Sequence, residues 1–279
     1  MKLSLFKTEF PIMLAPMAGF TDMTYRSICR EHGCDFTFTE MISAKGLKYG
    51  GKSADLMETA PNERPCGIQL FGRDPDIMAE MARRICGENK GELALIDINM
   101  GCPAPKITGN GEGSALMKEP GVAARVIEAV VKASALPVSV KFRKGWDSGH
   151  VNCVDFARMA EASGAAFVTI HGRTRDQMYS GAADWEVIAE AKAALSIPVI
   201  GNGDVTGGSS AIAMRDYTGC DGIMIARGAL GNPYVFQEVK AAFAGVPYTP
   251  PSNAERLDLA IAHVRGLVAH KGPHGVIEM

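Results

Sequence analysis

Short runs of apolar residues recur at 12–17, 36–41, 66–71, 93–99, 138–142, 167–171, 199–202 and 222–226, each followed by a polar or glycine-rich turn. Between them the apolar positions shift to a helical spacing, over 76–86, 122–133, 151–163, 185–194 and 209–217. Strands buried on both faces read as near-continuous apolar runs, and strand–helix alternation implies parallel βαβ units. Eight such units is the count of a TIM (β/α)8 barrel. A doubly wound sheet would place a glycine fingerprint after its first strand, and none follows 12–17. The fold class predicted is therefore α/β, a TIM barrel.

The pattern changes after Gly231-Asn232-Pro233. A closing helix is predicted over 234–244, and the prolines of 245–251 read as a linker. Ser252 or Asn253 then caps a helix running to about His270, with Glu255 in its first turn. This divides the chain into a barrel, 1–244, and the start of a small C-terminal helical domain, 252–279. One helix and a stub form a poor independent core. Either they pack on the barrel or the natural protein continues.

Of 279 residues, 47% are hydrophobic and 22% charged, an ordinary soluble composition. No stretch approaches the roughly 18 apolar residues of a membrane span, and 1–10 carries Lys2, Lys7 and Glu9 without the apolar core of a signal peptide. The seven cysteines form no C-x-x-C pair, so they are expected to be reduced thiols of a cytoplasmic protein. The six histidines make no H-x-x-x-H pair with cysteine or carboxylate company, and no metal site is expected. A net charge of −2 argues against a strongly basic nucleic-acid binder. Lys141, Arg143 and Lys144, Arg173 and Arg175, and Lys45, Lys48 and Lys52 nonetheless form local basic clusters. A monomer is the default.

Candidate chemistry collects where barrel sites form, at the C-terminal ends of the strands. The fourth run delivers Asn99, Gly101, Cys102 and Pro103, a thiol leaving a strand where a polar loop begins. Free cysteine is usually a small buried hydrophobe, but this setting exposes it to a ligand. The other ends carry Pro16-Met17-Ala18, Glu40-Met41, Gln69, Lys141 with Arg143, His171 with Arg173, Asn202-Gly203-Asp204 and Ala226-Arg227. Glycines at 201, 203, 228 and 231 let backbone N–H groups close around an anion after strands seven and eight, the common phosphate position in barrels. Gln69, Lys141 and His171 offer a planar cofactor an amide, a cation and a donor.

These pieces resemble the tRNA-dihydrouridine synthase family. The motifs are Ala-Pro-Met-Ala-Gly-Phe-Thr-Asp at 15–22, Gln-Leu-Phe-Gly at 69–72, Asn-Met-Gly-Cys-Pro at 99–103, Lys-Phe-Arg at 141–143, His-Gly-Arg-Thr at 171–174, Asn-Gly-Asp at 202–204 and Ala-Arg-Gly-Ala at 226–229. The resemblance implies an enzyme that binds FMN in a TIM barrel, takes hydride from NADPH and reduces the C5–C6 bond of a uracil in tRNA. It maps Pro16, Met17, Ala18, Gln69, Lys141, His171, Asn202, Gly203, Asp204, Ala226 and Arg227 onto the FMN site. It makes Cys102 the acid, while Asn99, Arg143, Arg173 and Arg175 are expected at the substrate. Ala226 departs from the glycine common there. The family's C-terminal helical bundle is represented by its first helix and a stub, so the sequence reads as truncated.

Two rival readings have their own signatures. An FMN barrel oxidoreductase for a free small molecule, such as a dihydroorotate dehydrogenase, would suit the low net charge and short tail. A non-catalytic RNA-binding module would have no use for a thiol, a lysine and a phosphate site at one mouth.

Overall fold

A computed structural model of the chain describes Phe6 and residues 8–273. Its strands are β1 Ile12–Leu14, β2 Ile42–Ser43, β3 Cys66–Phe71, β4 Leu93–Met100, β5 Val138–Gly145, β6 Phe167–Thr174, β7 Val199–Asn202 and β8 Gly222–Ile225. Every pairing is parallel, in the order β1-β8-β7-β6-β5-β4-β3-β2. The helices are α1 Met23–Glu31, α2 Ala44–Lys48, α3 Pro75–Glu88, α4 Pro105–Thr108, α5 Pro120–Ala133, α6 Cys153–Ala162, α7 Glu186–Ala194, α8 Gly208–Thr218, α9 Val235–Ala244 and α10 Asn253–Lys271.

The second apolar run differs from its prediction. Residues 36–41 lie between β1 and β3 but meet them only through single bridges, Met13 with Phe36 and Phe38 with Gly67. The Leu14 N–H donates to the Phe36 carbonyl (3.0 Å), and the Gly67 N–H to that of Thr37 (2.9 Å). Those bonds close the ring, while the regular ladder with β3 is displaced to Ile42–Ser43. Gly67 admits the closure because a Cβ there would overlap the Phe38 ring.

Side chains alternate across a strand with period two, and that alternation stacks the barrel interior in layers. At the lower end Phe6, Met13, Phe36, Phe38, Leu95, Phe167, Ile200 and Met224 form a buried apolar cluster. Phe6 stands edge-on to Phe36 (5.1 Å) and Phe167 (5.9 Å) and fills the bottom. Two residues further along, the same inward faces carry Asp97, Thr169, Asn202 and Ala226; a further two bring Asn99 and His171. The apolar floor thus grades into a polar mouth. A separate, larger core joins the outer strand faces to the helices.

Helix α10 packs on the barrel. It opens with a capping box in which the Glu255 N–H donates to Ser252 Oγ (3.2 Å) and the Ser252 N–H to Glu255 Oε2 (2.7 Å). Leu267 is buried, the His263 ring lies 5.3 Å from Tyr25 of α1, and Gly266 leaves room for Thr24. The stub after this helix, 274–279, lies outside the described residues. No helix among the described residues is long and apolar enough to cross a membrane.

Candidate functional site

A cavity of about 480 Å³ opens at the C-terminal ends of the strands. Its walls include Pro16, Met17 and Ala18 after β1, Asn99 and Cys102 at the end of β4, Lys141 and Arg143 of β5, His171 of β6, Asn202 of β7, and Ala226 and Arg227 after β8. Strand register makes the polar group contiguous: Asn99 pairs with Lys141, Arg143 with His171, and His171 with Asn202.

The Cys102 main chain is held from both sides. Its N–H donates to Asn99 Oδ1 (2.9 Å), and its carbonyl accepts from the Ser114 N–H (3.1 Å) and hydroxyl (2.9 Å). Gly113 is needed there because a Cβ would lie 2.8 Å from the Cys102 oxygen, at a positive φ of 59°. The thiol is half-buried on the cavity wall. Burial pushes its pKa up, opposed by the Ala104 backbone N–H and by Arg143 and Lys141. The thiol is therefore protonated at neutral pH and can serve as an acid.

Lys141 Nζ donates to Asn202 Oδ1 (2.9 Å), and Asn202 Nδ2 donates to the Met224 carbonyl (2.8 Å). Burial and the nearby Arg143 lower the lysine to about 8, with Asp97 acting in the opposite direction. His171 is held well below its ordinary value, first by burial and then by Lys141, Arg143, Arg173 and Arg227, so the imidazole is neutral. Arg143 bonds the Gly101 carbonyl (2.8 Å) through Nε and those of Thr174 (2.9 Å) and Met178 (2.8 Å) through one terminal nitrogen. It thereby fastens the Cys102 loop to the loop after β6.

The turns after β7 and β8 are pressed together. A Cβ on Gly228 would overlap the Val205 carbonyl, and one on Gly203, whose φ is +129°, would sit 2.7 Å from the Ala183 Cβ. Among the described residues, no main-chain acceptor takes the N–H groups of Gly203, Asp204 or Ala226. Unpaired backbone donors beside Arg227 suit a phosphate.

A family model described as dihydrouridine synthase (Dus) matches residues 13–277. The chain belongs to the dihydrouridine synthase family. It is 41% identical over 269 residues to the probable tRNA-dihydrouridine synthase 1 of Synechocystis sp., covering 96% of this chain and 75% of that protein. It is 42% identical over 268 residues to the tRNA-dihydrouridine synthase B of Xanthomonas campestris pv. campestris, covering 95% and 80%. Among solved structures, the histamine dehydrogenase of Rhizobium sp. 4-9 shares the fold, with a TM-score of 0.59 and 15% identity over 84% of this chain and 46% of that one.

Not every residue singled out from sequence reaches the cavity wall of this dihydrouridine synthase family member. Gln69 is fully buried, with its amide spent on Asp97 and Asn99. Gly203 and Asp204 form the turn behind the wall. The Asp204 carboxylate takes the Ala183 N–H (2.6 Å), Arg173 (2.8 Å) and Arg227 (3.4 Å). Arg173 was expected at the substrate; it is only 2% exposed. Its guanidinium bonds the Ser180 carbonyl (3.1 Å), the Gly181 carbonyl (2.5 Å) and Asp204, with His171 Nε2 at 3.5 Å. The reason is that β6 continues to Thr174, which puts Arg173 on the inward face above His171. Arg175 faces away, over the Trp146 ring (4.8 Å) and bonded to Asp176 (2.9 Å). It is not among the residues that line the cavity.

The sequence reading passed over Phe20, Met178, Tyr179 and Leu230, which give the cavity mouth its apolar rim. Tyr179 lies under Arg227 (4.9 Å) and near Arg143 (5.8 Å). An aromatic one turn beyond a strand rich in cavity residues is the signal that would have found it.

Proposed function

We propose that the chain reduces the C5–C6 double bond of a uracil in tRNA to dihydrouracil, with FMN as its bound cofactor and NADPH as the reductant. The observation that carries this reading is the Cys102 thiol, whose backbone N–H is held by Asn99, on the wall of a cavity that also presents Lys141, His171 and Arg143. FMN, when bound, supplies the hydride that C6 receives. The unpaired N–H of Ala226, with Arg227, would hold its phosphate, on a turn backed by Gly203 and Asp204. Lys141 presents a cation to the ring system, oriented by Asn202.

Hydride addition at C6 leaves negative charge on the C5 side of the base. Cys102 delivers a proton from Sγ to C5, and the resulting thiolate lies in the field of Lys141 and Arg143 until solvent reprotonates it. The second terminal nitrogen of Arg143, which has no partner among the described residues, is available to a uracil oxygen or a phosphate. A base stacked in folded RNA must leave its stack to reach this cavity, at a cost of a few kcal/mol. Phe20, Met178, Tyr179 and Leu230 offset that cost by covering its faces.

The test is purification followed by single turnover. The expected protein is yellow, releases FMN on denaturation, is bleached by NADPH and is reoxidised by unmodified tRNA. Cys102→Ala should leave bleaching intact and slow reoxidation by about 10² or more, the usual worth of a positioned acid. Reoxidation of Cys102→Ala at the parent rate would remove the acid role. Fast turnover of free uracil or dihydroorotate without RNA would favour the small-molecule reading instead.

A further inference from the structure

Asp97 lies one layer below the cavity, on the inward face of β4 and fully surrounded by the barrel. Neither of its oxygens faces solvent or the cavity. Ser139 Oγ donates to Oδ1 (2.6 Å), and Gln69 Nε2 donates to Oδ2 (2.7 Å). A carboxylate accepts only, so it dictates which end of the Gln69 amide faces down. Gln69 then turns Oε1 upward to accept Asn99 Nδ2 (2.8 Å). That in turn leaves Asn99 Oδ1 to receive the N–H groups of Gly101 (3.1 Å) and Cys102 (2.9 Å). Three side chains from two neighbouring strands, β3 and β4, form one chain of donors and acceptors with a single sense, and it ends on the residue proposed as the acid.

We propose that Asp97 is a positioning residue for Cys102, acting through the amides of Gln69 and Asn99 rather than by contact or by charge. The inference rests on the reading of Cys102 as proton donor, but its geometry stands without it. If the acceptor at the base is lost, Gln69 can turn over. Its amide nitrogen would then oppose that of Asn99, and Asn99 must also turn. The turned Asn99 presents Nδ2 to two N–H donors and holds neither. The bonds from Ser139 and Gln69 and the charge of Lys141 favour the carboxylate that the arrangement needs, against burial, which raises the Asp97 carboxyl to about 6.

An asparagine at 97 separates the relay from charge. It can keep Oδ1 toward Gln69 and direct its amide nitrogen at Ser139 Oγ, because a hydroxyl also accepts. Asp97→Asn therefore preserves the sense of the chain while removing the negative charge near Lys141. Asp97→Ala removes both. Gln69→Met fills the same space but transmits nothing.

The experiment is iodoacetamide alkylation of Cys102, followed peptide by peptide by mass spectrometry from pH 6 to 9 in the purified flavin-loaded protein. The flavin absorption spectrum monitors integrity. Losing one backbone anchor, a net 0.5–1.5 kcal/mol, should raise the alkylation rate of Asp97→Ala and Gln69→Met about two- to tenfold. The double variant should be no faster than either single one, because the residues act in series. Asp97→Asn should stay within about twofold of the parent. Parent-like rates in Gln69→Met, or Asp97→Asn behaving like Asp97→Ala, would overturn the relay. Gln69→Met keeps the test decisive if Asp97→Ala does not fold. Full tRNA reduction by Cys102→Ala would defeat the acid reading alone, since the alkylation result reads the anchor and not the chemistry.

Discussion

Lys141 Nζ sits 2.9 Å from Asn202 Oδ1, so a buried cation on β5 is aimed by an amide on β7, across the intervening β6. The amide is itself fixed by the Met224 carbonyl. The cation costs stability where it stands, because burial lowers it from 10.5 to about 8. Between those two values the unfolded chain binds more protons than the folded one, so this group makes stability rise with pH across that window. Lys141→Met should flatten the dependence of Tm on pH between about 8 and 10. It should also weaken FMN binding or slow bleaching by NADPH. Fluorescence-monitored melting and flavin titration check both.

Gly228→Ala should separate flavin affinity from folding. The added methyl has no room against the Val205 carbonyl, so the two turns must part. Overpacking of this kind costs about 1–3 kcal/mol. Placed in the turns proposed to hold the phosphate, it should cost FMN affinity about tenfold or more. Equilibrium dialysis with FMN is the measurement, and a parent-like circular dichroism spectrum is the control.

Arg173→Met should behave as a fold variant. The side chain bonds two loop carbonyls and Asp204, and it is sealed from the cavity. Leaving the two loop carbonyls and the part-exposed Asp204 without this partner costs about 1–3 kcal/mol, a fall in Tm of roughly 2–4 °C per kcal/mol. An arginine that touched RNA would instead lose affinity at unchanged Tm. Melting curves and tRNA binding at one fixed salt concentration distinguish the two.

The barrel and the thiol were legible because their signals are local. Eight apolar runs carry the strand count, and Gly101-Cys102-Pro103 marks a strand end within three residues. The faces of the longer strands were harder. The run predicted for β6 ends at His171, whereas the strand continues to Thr174 through residues whose polarity is spent inside the barrel. Arg173 therefore reads as solvent-facing in sequence and lies buried in space. Gln69 and Asp97 posed the same difficulty: each is one polar residue in an apolar run, and only the β3–β4 register, which sets them side by side, gives either a partner. The β2 region was displaced for another reason. Its pairing is broken by two isolated bridges around Phe36 and Phe38, whose side chains fill the floor.

That floor has a kinetic meaning. With Phe6, Phe36 and Phe167 packed edge-to-face at the bottom, the described residues close the barrel floor, and the cavity opens at the strand-end mouth. On the proposed reaction, a dinucleotide and a folded RNA that both need the same bound ring would share that doorway. Shared access would impose turn-taking: the first visitor would leave its electrons behind and depart before the second arrives. The protein would then have to shelter the loaded state from water in the interval.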